Sequence, residues 1–288
     1  MSAKLIDGNW LANQLKEKLK KDVDDLKAAT GRVPTLVNLM IGDDGGSCAY
    51  AQAQKKAAEF IGVDYQWIHL PYNISQEDFM DYVNKLNHDP KINGILIHRP
   101  VPEAIDYRLA LSAIDIHKDI EGINAVNIGR MLLGETTIIP CTPAAVMALI
   151  KSTGLTVRGK DVVIVGHSDI VGKPLALLLL RELATVTICH IATSEAGRLK
   201  EHVAQADILI VAVGQADLIK GDWIKEGACV IDVGINKAGS KIVGDVEFEE
   251  AKKRASYIAP VPGGVGPMTV MLLMKNGIEV FKLQTRKE

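Results

Sequence analysis

Aromatic residues make up only 5% of this chain of 288 residues, so the 48% hydrophobic content is almost entirely aliphatic. A core built on large rings is excluded. Charge of one sign is also missing, because 33 basic and 35 acidic residues leave a formal net charge of -2. Without a basic excess there is no general attraction to nucleic acid or anionic lipid, and neither partner is expected. The only cysteines are Cys48, Cys141, Cys189 and Cys229, with no CxxC pair and no histidine arrangement of zinc-site spacing. No metal is expected, and the thiols read as those of a reduced, cytoplasmic protein. No window reaches membrane-spanning length, and the first residues lack the apolar core of a signal peptide.

What is abundant is short runs of Val, Ile, Leu and Ala separated by helix-length segments. That pattern belongs to parallel strands covered by helices on both faces, so the fold class is α/β. The length exceeds one domain and predicts two, with a junction near residue 140. Leu11, Leu15, Leu19 and Leu26 mark a first amphipathic helix stopped by Gly31. Residues 35–41 read as a buried strand, 42–46 as a loop, and 47–61 as a helix. Residues 63–70 form the next predicted strand, and Ser75 with Asp78 resembles a capping box opening a helix through Leu86. Strand 94–98 ends abruptly, because the prolines of Arg99-Pro-Val-Pro102 cannot donate ladder hydrogen bonds. Thr142 suits an N-cap and Pro143 a first helical position, predicting a helix to about Ser152. Four more strands are predicted at 161–165, 185–189, 207–213 and 229–233.

The segment Gly166-His-Ser-Asp-Ile-Val-Gly172-Lys-Pro174 lies between a predicted strand and an apolar helix. Small residues there let backbone N–H groups and a helix dipole approach a pyrophosphate. The spacing departs from GxGxxG: Ser168 holds the second glycine's place, and Gly172 falls one residue late. Gly214 and the pair Gly234-Ile235 also follow strand ends, where a flat ring can lie against backbone. Pro260-Val-Pro-Gly-Gly-Val-Gly-Pro-Met-Thr269 carries too much glycine and proline for regular structure and predicts a shaped loop.

The first and last of these motifs, with Pro140-Cys-Thr-Pro143, resemble the bifunctional methylenetetrahydrofolate dehydrogenase/cyclohydrolase family, FolD. The likeness runs nearly end to end, through Asp7-Gly8, Gly94-Ile-Leu-Ile97, Asn127-Ile-Gly-Arg130 and Asp222-Trp-Ile-Lys-Glu-Gly227. It implies a folate-type α/β catalytic domain over residues 1–139, completed by a C-terminal helix at 268–288. It implies a Rossmann-like, doubly wound NAD(P)-binding domain over 140–267, joined to the first across a cleft, and a homodimer. A reduced folate would be the substrate, with Pro262, Gly263 and Gly264 beside it. Gly166, His167, Ser168, Gly172, Ile191, Gly214, Gly234 and Ile235 would line the dinucleotide. In such enzymes methylenetetrahydrofolate gives a hydride to NAD(P), and the methenyl product is then hydrolysed.

The family's working set is a tyrosine and a lysine one helical turn apart, a glutamine at a strand end, and an aspartate before a glycine. Here the tyrosine is Tyr50, but its (i, i+4) partner is Gln54, while Lys55 and Lys56 fall off that helix face. The strand-end position is His98, followed by Arg99, and the aspartate's position is Glu121. A glutamine amide cannot exchange a proton near neutral pH, whereas a lysine of lowered pKa can. Hydrolysis of the methenyl bridge is therefore expected to be weakened or lost, while hydride transfer depends mainly on positioning. His98, with an ordinary pKa of about 6.5, is itself an acid/base, and Glu121 could orient it. Arg99 is a cation that could meet an anionic group or face solvent. His167 and Ile191 replace an arginine and a serine that often contact the 2′-phosphate of NADP. Either NADP or NAD remains the expected cofactor, with Lys173 or Arg198 as candidate compensating cations. Two other readings stand: a catalytically idle, binding or regulatory relative, and an enzyme on another reduced pterin or one-carbon compound.

Overall fold

The structure is a computed structural model that describes residues 2–42, 45–136, 138–239 and 241–286. In chain order the first elements are β1 (Lys4–Leu5), α1 (Gly8–Thr30), β2 (Thr35–Ile41), α2 (Gly45–Ile61), β3 (Asp64–Leu70) and α3 (Gln76–His88). After these come β4 (Gly94–Ile97), α4 (Tyr107–Ala113), α5 (Ala125–Leu133) and α6 (Cys141–Ser152). The second half continues with β5 (Asp161–Val165), α7 (Gly172–Arg181), β6 (Thr185–Cys189), α8 (Ile191–Glu195), α9 (Leu199–Val203), β7 (Ile208–Val211) and β8 (Cys229–Asp232). The hairpin β9 (Asn236–Ala238) and β10 (Lys241–Val243), α10 (Phe248–Arg254), β11 (Tyr257–Ala259) and α11 (Val265–Thr285) complete it.

Two compact units emerge, one of residues 14–141 with 270–288, the other of residues 1–13 with 142–269. In the first unit three parallel strands run in the order β3-β2-β4. Six of the seven residues of β2 are buried, as expected for a central strand covered on both faces. One core cluster joins Val37, Leu39 and Ile41 to Phe79, Val83, Ile95 and Ile97. Asn276 on α11 clasps this unit from a distant part of the chain, donating to the Ile120 and Ile139 carbonyls at 2.9 Å each.

In the second unit six strands form one parallel sheet in the order β1-β11-β8-β7-β5-β6. Its core gathers Val163, Val165, Leu209, Val211, Val230 and Ile258 under the covering helices. Strand β6 lies on one side of β5 and β7 on the other, so the winding reverses at the carboxyl ends of β5 and β7. The α/β fold class, a catalytic α/β unit with a Rossmann-like doubly wound one, is as the sequence predicts.

Several local expectations need correction. The N-terminal segment belongs with the second sheet, not with the catalytic unit: Lys4 and Leu5 pair in parallel with Tyr257 and Ile258. Two residues carry no readable period, so β1 is invisible in sequence. Of the loop expected at 42–46, Asp43 and Asp44 lie outside the described residues, and α2 already begins at Gly45. Helix α6 begins at Cys141, which puts Thr142 inside the first turn instead of at the cap. Ser75 does cap α3, accepting from the Asp78 N–H at 3.0 Å and donating its hydroxyl to the Asp78 carboxylate at 2.6 Å. No helix among the described residues is long and apolar enough to cross a membrane.

Candidate active site

Within the first unit, Tyr50 and Gln54 occupy one face of α2, one turn apart, as the (i, i+4) relation requires. His98 follows the end of β4, where its N–H still bonds the Leu39 carbonyl at 2.8 Å. The rings of Tyr50 and His98 meet edge to face, with centroids 5.9 Å apart. Gln54 is buried to 2% exposure and held by groups the sequence did not single out. Tyr65 on β3 donates its hydroxyl to Gln54 Oε1 at 2.6 Å. The Asn38 amide on β2 donates to Gln54 Oε1 at 3.2 Å, lies 2.7 Å from the Tyr65 hydroxyl and sits 3.3 Å from His98 Nδ1. Four side chains, none a lysine, thus form one connected polar network in the interior.

Glu121 sits in a turn shaped by Asp119, whose carboxylate accepts from the N–H groups of Gly122 and Asn124 and from the Asn127 amide, each at 2.9 Å. Gly122 takes a φ of 70° there, a left-handed conformation that glycine adopts at low cost. Burial pushes the Glu121 carboxyl up to about 8, reinforced by the charge of Asp119 and opposed by the Ile97 backbone and by Arg99. At neutral pH Glu121 is therefore mostly a neutral carboxylic acid, and its Oε2 is buried without a protein partner among the described residues. Burial likewise pushes the Tyr50 and Tyr65 phenols above their ordinary range, so both act as hydroxyl groups and not as bases. The exposed Arg99 lies over the Tyr107 ring, 5.0 Å from its centroid.

The second unit builds its candidate site from backbone. Gly166 follows β5 with a φ of 126°, and a Cβ there would stand 2.3 Å from the Ala212 carbonyl oxygen. A Cβ on Gly172, the first residue of α7, would stand 2.1 Å from the Gly166 oxygen. Only glycine fits at either place, which leaves the turn and the amino end of α7 bare at the point where the winding reverses. That is the location and construction a pyrophosphate requires, so the residues present fit a dinucleotide. Ser168 braces the turn by accepting from the Val171 N–H at 3.2 Å.

Two buried aspartates outside the sequence-predicted set hold the neighbouring strand ends. Asp245 accepts from the N–H groups of Val213 and Gly214 at 2.7 and 3.0 Å, and from the Asn236 amide at 2.8 Å. Asp232 accepts from the N–H groups of Gly234, Asp245 and Val246 at 2.9 to 3.0 Å. Burial raises Asp232 to about 6 despite these bonds. Together they shape the Gly214 and Gly234 turns and present Ile235 to solvent at 64% exposure.

Around the expected phosphate position, the His167 and His190 rings lie 5.4 Å apart, and Ile191 is 70% exposed. Lys173 is ion-paired with Asp169, and Arg198 approaches Glu201 at 3.6 Å. Both cations expected from the sequence to serve a cofactor phosphate are therefore already engaged. Pro262, Gly263 and Gly264 belong to this second unit, after β11, where Gly263 O accepts from the Asn9 N–H at 3.2 Å. A Cβ on Gly8 would stand 1.8 Å from Gly264 O, which explains the glycine opening α1. Among the described residues no group of His, Cys, Asp and Glu is placed to hold a metal ion.

A parallel sheet with a glycine-built turn at its reversal point defines a dinucleotide-binding α/β protein. Comparison with known proteins narrows this class. The tetrahydrofolate dehydrogenase/cyclohydrolase catalytic domain matches residues 6–121, and that family's NAD(P)-binding domain matches residues 140–285. The chain is 47% identical over 283 residues to the bifunctional protein FolD of Bacillus pumilus, covering 98% of this chain and 99% of that one. Among solved structures, FolD of Campylobacter jejuni superposes with a TM-score of 0.94 at 43% identity, covering 98% of this chain and 99% of that one. The Trypanosoma brucei enzyme, solved with NADP and an inhibitor, gives 0.95 at 40% identity, covering 99% of each. The chain belongs to the tetrahydrofolate dehydrogenase/cyclohydrolase family, and its second unit carries that family's NAD(P)-binding domain.

Proposed function

We propose that this chain is an NAD(P)-dependent methylenetetrahydrofolate dehydrogenase in which hydrolysis of the methenyl product is weakened or lost. The observation that carries the reading is Gln54: a buried neutral amide, accepting from Tyr65 and Asn38, stands where proton transfer would call for an amine. The bound dinucleotide supplies the hydride acceptor. Tyr50 and His98 bind and orient the reduced folate, Arg99 offers a charge to the substrate's anionic part, and the Glu121 carboxyl meets the pterin. In the second unit Gly166, His167, Ser168, Gly172, Ile191, Gly214, Gly234 and Ile235 hold the dinucleotide, and Pro262, Gly263 and Gly264 are its candidate substrate contacts. Hydride transfer asks for alignment of two carbons and for no proton from the protein, so it tolerates Gln54. Water attack on the methenyl carbon must lose a proton and protonate a nitrogen as the ring opens, and Gln54 can do neither. The reading includes a homodimer, checked by light scattering.

The test supplies methylenetetrahydrofolate with NAD or NADP in turn and follows reduced cofactor and methenyl product separately. Reduced cofactor with methenyl product accumulating is the expected outcome. Absence of reduced cofactor with both dinucleotides defeats the reading. Binding without turnover would then favour the idle relative, a reading supported by the closed, uncharged network around Gln54.

A further inference from the structure

The residue pattern of β2 contains one anomaly. Its six buried positions read Leu-Val-Asn-Leu-Met-Ile, and Asn38 is fully buried among aliphatic neighbours. A buried amide is costly unless it is hydrogen-bonded, so its partners decide why it is there. An amide nitrogen only donates. The two protons of the Asn38 amide face three acceptor atoms, the Tyr65 hydroxyl at 2.7 Å, Gln54 Oε1 at 3.2 Å and His98 Nδ1 at 3.3 Å, and an unprotonated Nδ1 with the imidazole proton on Nε2 is the arrangement that sets no ring N–H against the amide.

In this orientation Asn38 Oδ1 is buried without a partner among the described residues, and it is the neighbouring groups that oppose a reversal. Tyr65 gives its one proton to Gln54 Oε1, and the Asn38 amide lies 3.2 Å from that same oxygen. Turning Asn38 over alone would set its oxygen against the Gln54 oxygen and a tyrosine oxygen whose proton is already committed. Reversal needs both amides to turn together and His98 to move its proton to Nδ1.

We infer that Asn38 is a positioning residue, which with Tyr65 and Gln54 holds His98 as the neutral tautomer with its proton on Nε2. His98 then serves the site as a hydrogen-bond donor and not as a general base. This deepens the proposed function, resting on it only for the identity of the molecule that receives the donor. Gln54 also gains a role, because the amide oxygen that anchors the network is something a lysine cannot supply.

The test is the imidazole ¹⁵N spectrum of the full-length, ligand-free protein near neutral pH, with His98 assigned by its disappearance in His98→Gln. The expected result is an unprotonated Nδ1 and a protonated Nε2. In Asn38→Leu this preference should collapse to a tautomer mixture, with KM for methylenetetrahydrofolate rising roughly tenfold and kcat changing less. A His98 protonated on Nδ1 in the wild type, or an Asn38→Leu spectrum unchanged from it, overturns the inference. Should Asn38→Leu fail to fold, the wild-type spectrum decides alone. Because no substrate is present, a protein that transfers no hydride would defeat the functional reading while leaving the tautomer result intact.

Discussion

The two units build their candidate sites from different materials. In the second unit the cradle is backbone: Gly166 and Gly172 pack where no Cβ fits, and Asp232 and Asp245 collect main-chain N–H groups. In the first unit the site is made of side chains, with Asn38, Gln54, Tyr65 and His98 bonded to one another across three strands and a helix. The donors of a backbone cradle belong to nearly every residue type, so it tolerates side-chain drift except at the glycines and aspartates that shape it. A side-chain network must change as a set, since each donor needs its acceptor. The contrast is between a site set by main-chain geometry and one set by the mutual pairing of side chains.

The sharpest way to break the comparison is to cut a side chain out of the backbone cradle. Asp245→Ala takes the acceptor from the Val213 and Gly214 N–H groups and leaves the Asn236 amide only the Val243 and Gly244 carbonyls, and should cost about 3 kcal/mol in a denaturant melt. It should also weaken dinucleotide binding in a titration. In the first unit, Gln54→Lys replaces an acceptor by a donor and leaves the Tyr65 hydroxyl unmatched. A loss of about 1–3 kcal/mol is expected, with hydrolysis regained only where His98 and Glu121 permit the ordinary substrate pose. An equal or greater loss at Gln54 than at Asp245 would undo the distinction between the two sites.

A smaller effect is expected at the exposed His167. His167→Arg should shift preference toward NADP by roughly tenfold in relative Kd, because a charge-assisted hydrogen bond is worth about 1.5–3 kcal/mol. The remaining effect concerns pH. The folded protein holds the Glu121 proton more tightly than the unfolded chain does, so this group's contribution to stability falls as pH rises from about 4.5 through about 8. Glu121→Gln should remove that dependence, making the variant progressively more stable relative to the wild type across the window. Parallel melting curves of the two proteins across this range check it.

How much of the molecule was legible in the sequence follows from the same contrast. The turn at Gly166 to Pro174 shows itself because glycines cluster within one short segment between a strand and a helix. Seven of the nine strands in the two parallel sheets show themselves through aliphatic runs, β1 and β11 being the two that do not, and β2 matches its predicted limits. Tyr50 and Gln54 are readable as a pair because a helix fixes their relation. Asn38 was hidden, since its partners lie 16, 27 and 60 residues away and a lone asparagine in a strand has no local signature. Asp245 is 31 and 32 residues from the amides it holds, and Asn276 is 156 residues from Ile120. Such contacts are set by topology, which no short window contains. The one available signal was a polar residue inside the aliphatic run of β2, and a single polar residue in a strand also reads as an exposed face.

The neutral amide at position 54 is what separates hydride transfer from hydrolysis in this chain's proposed chemistry. The most direct measurement offers methenyltetrahydrofolate to the wild-type protein, without dinucleotide, and compares its rate of disappearance with that in buffer. Little or no acceleration is predicted from a preparation that does reduce NAD or NADP with methylenetetrahydrofolate. Rapid, protein-dependent loss of methenyltetrahydrofolate would contradict it.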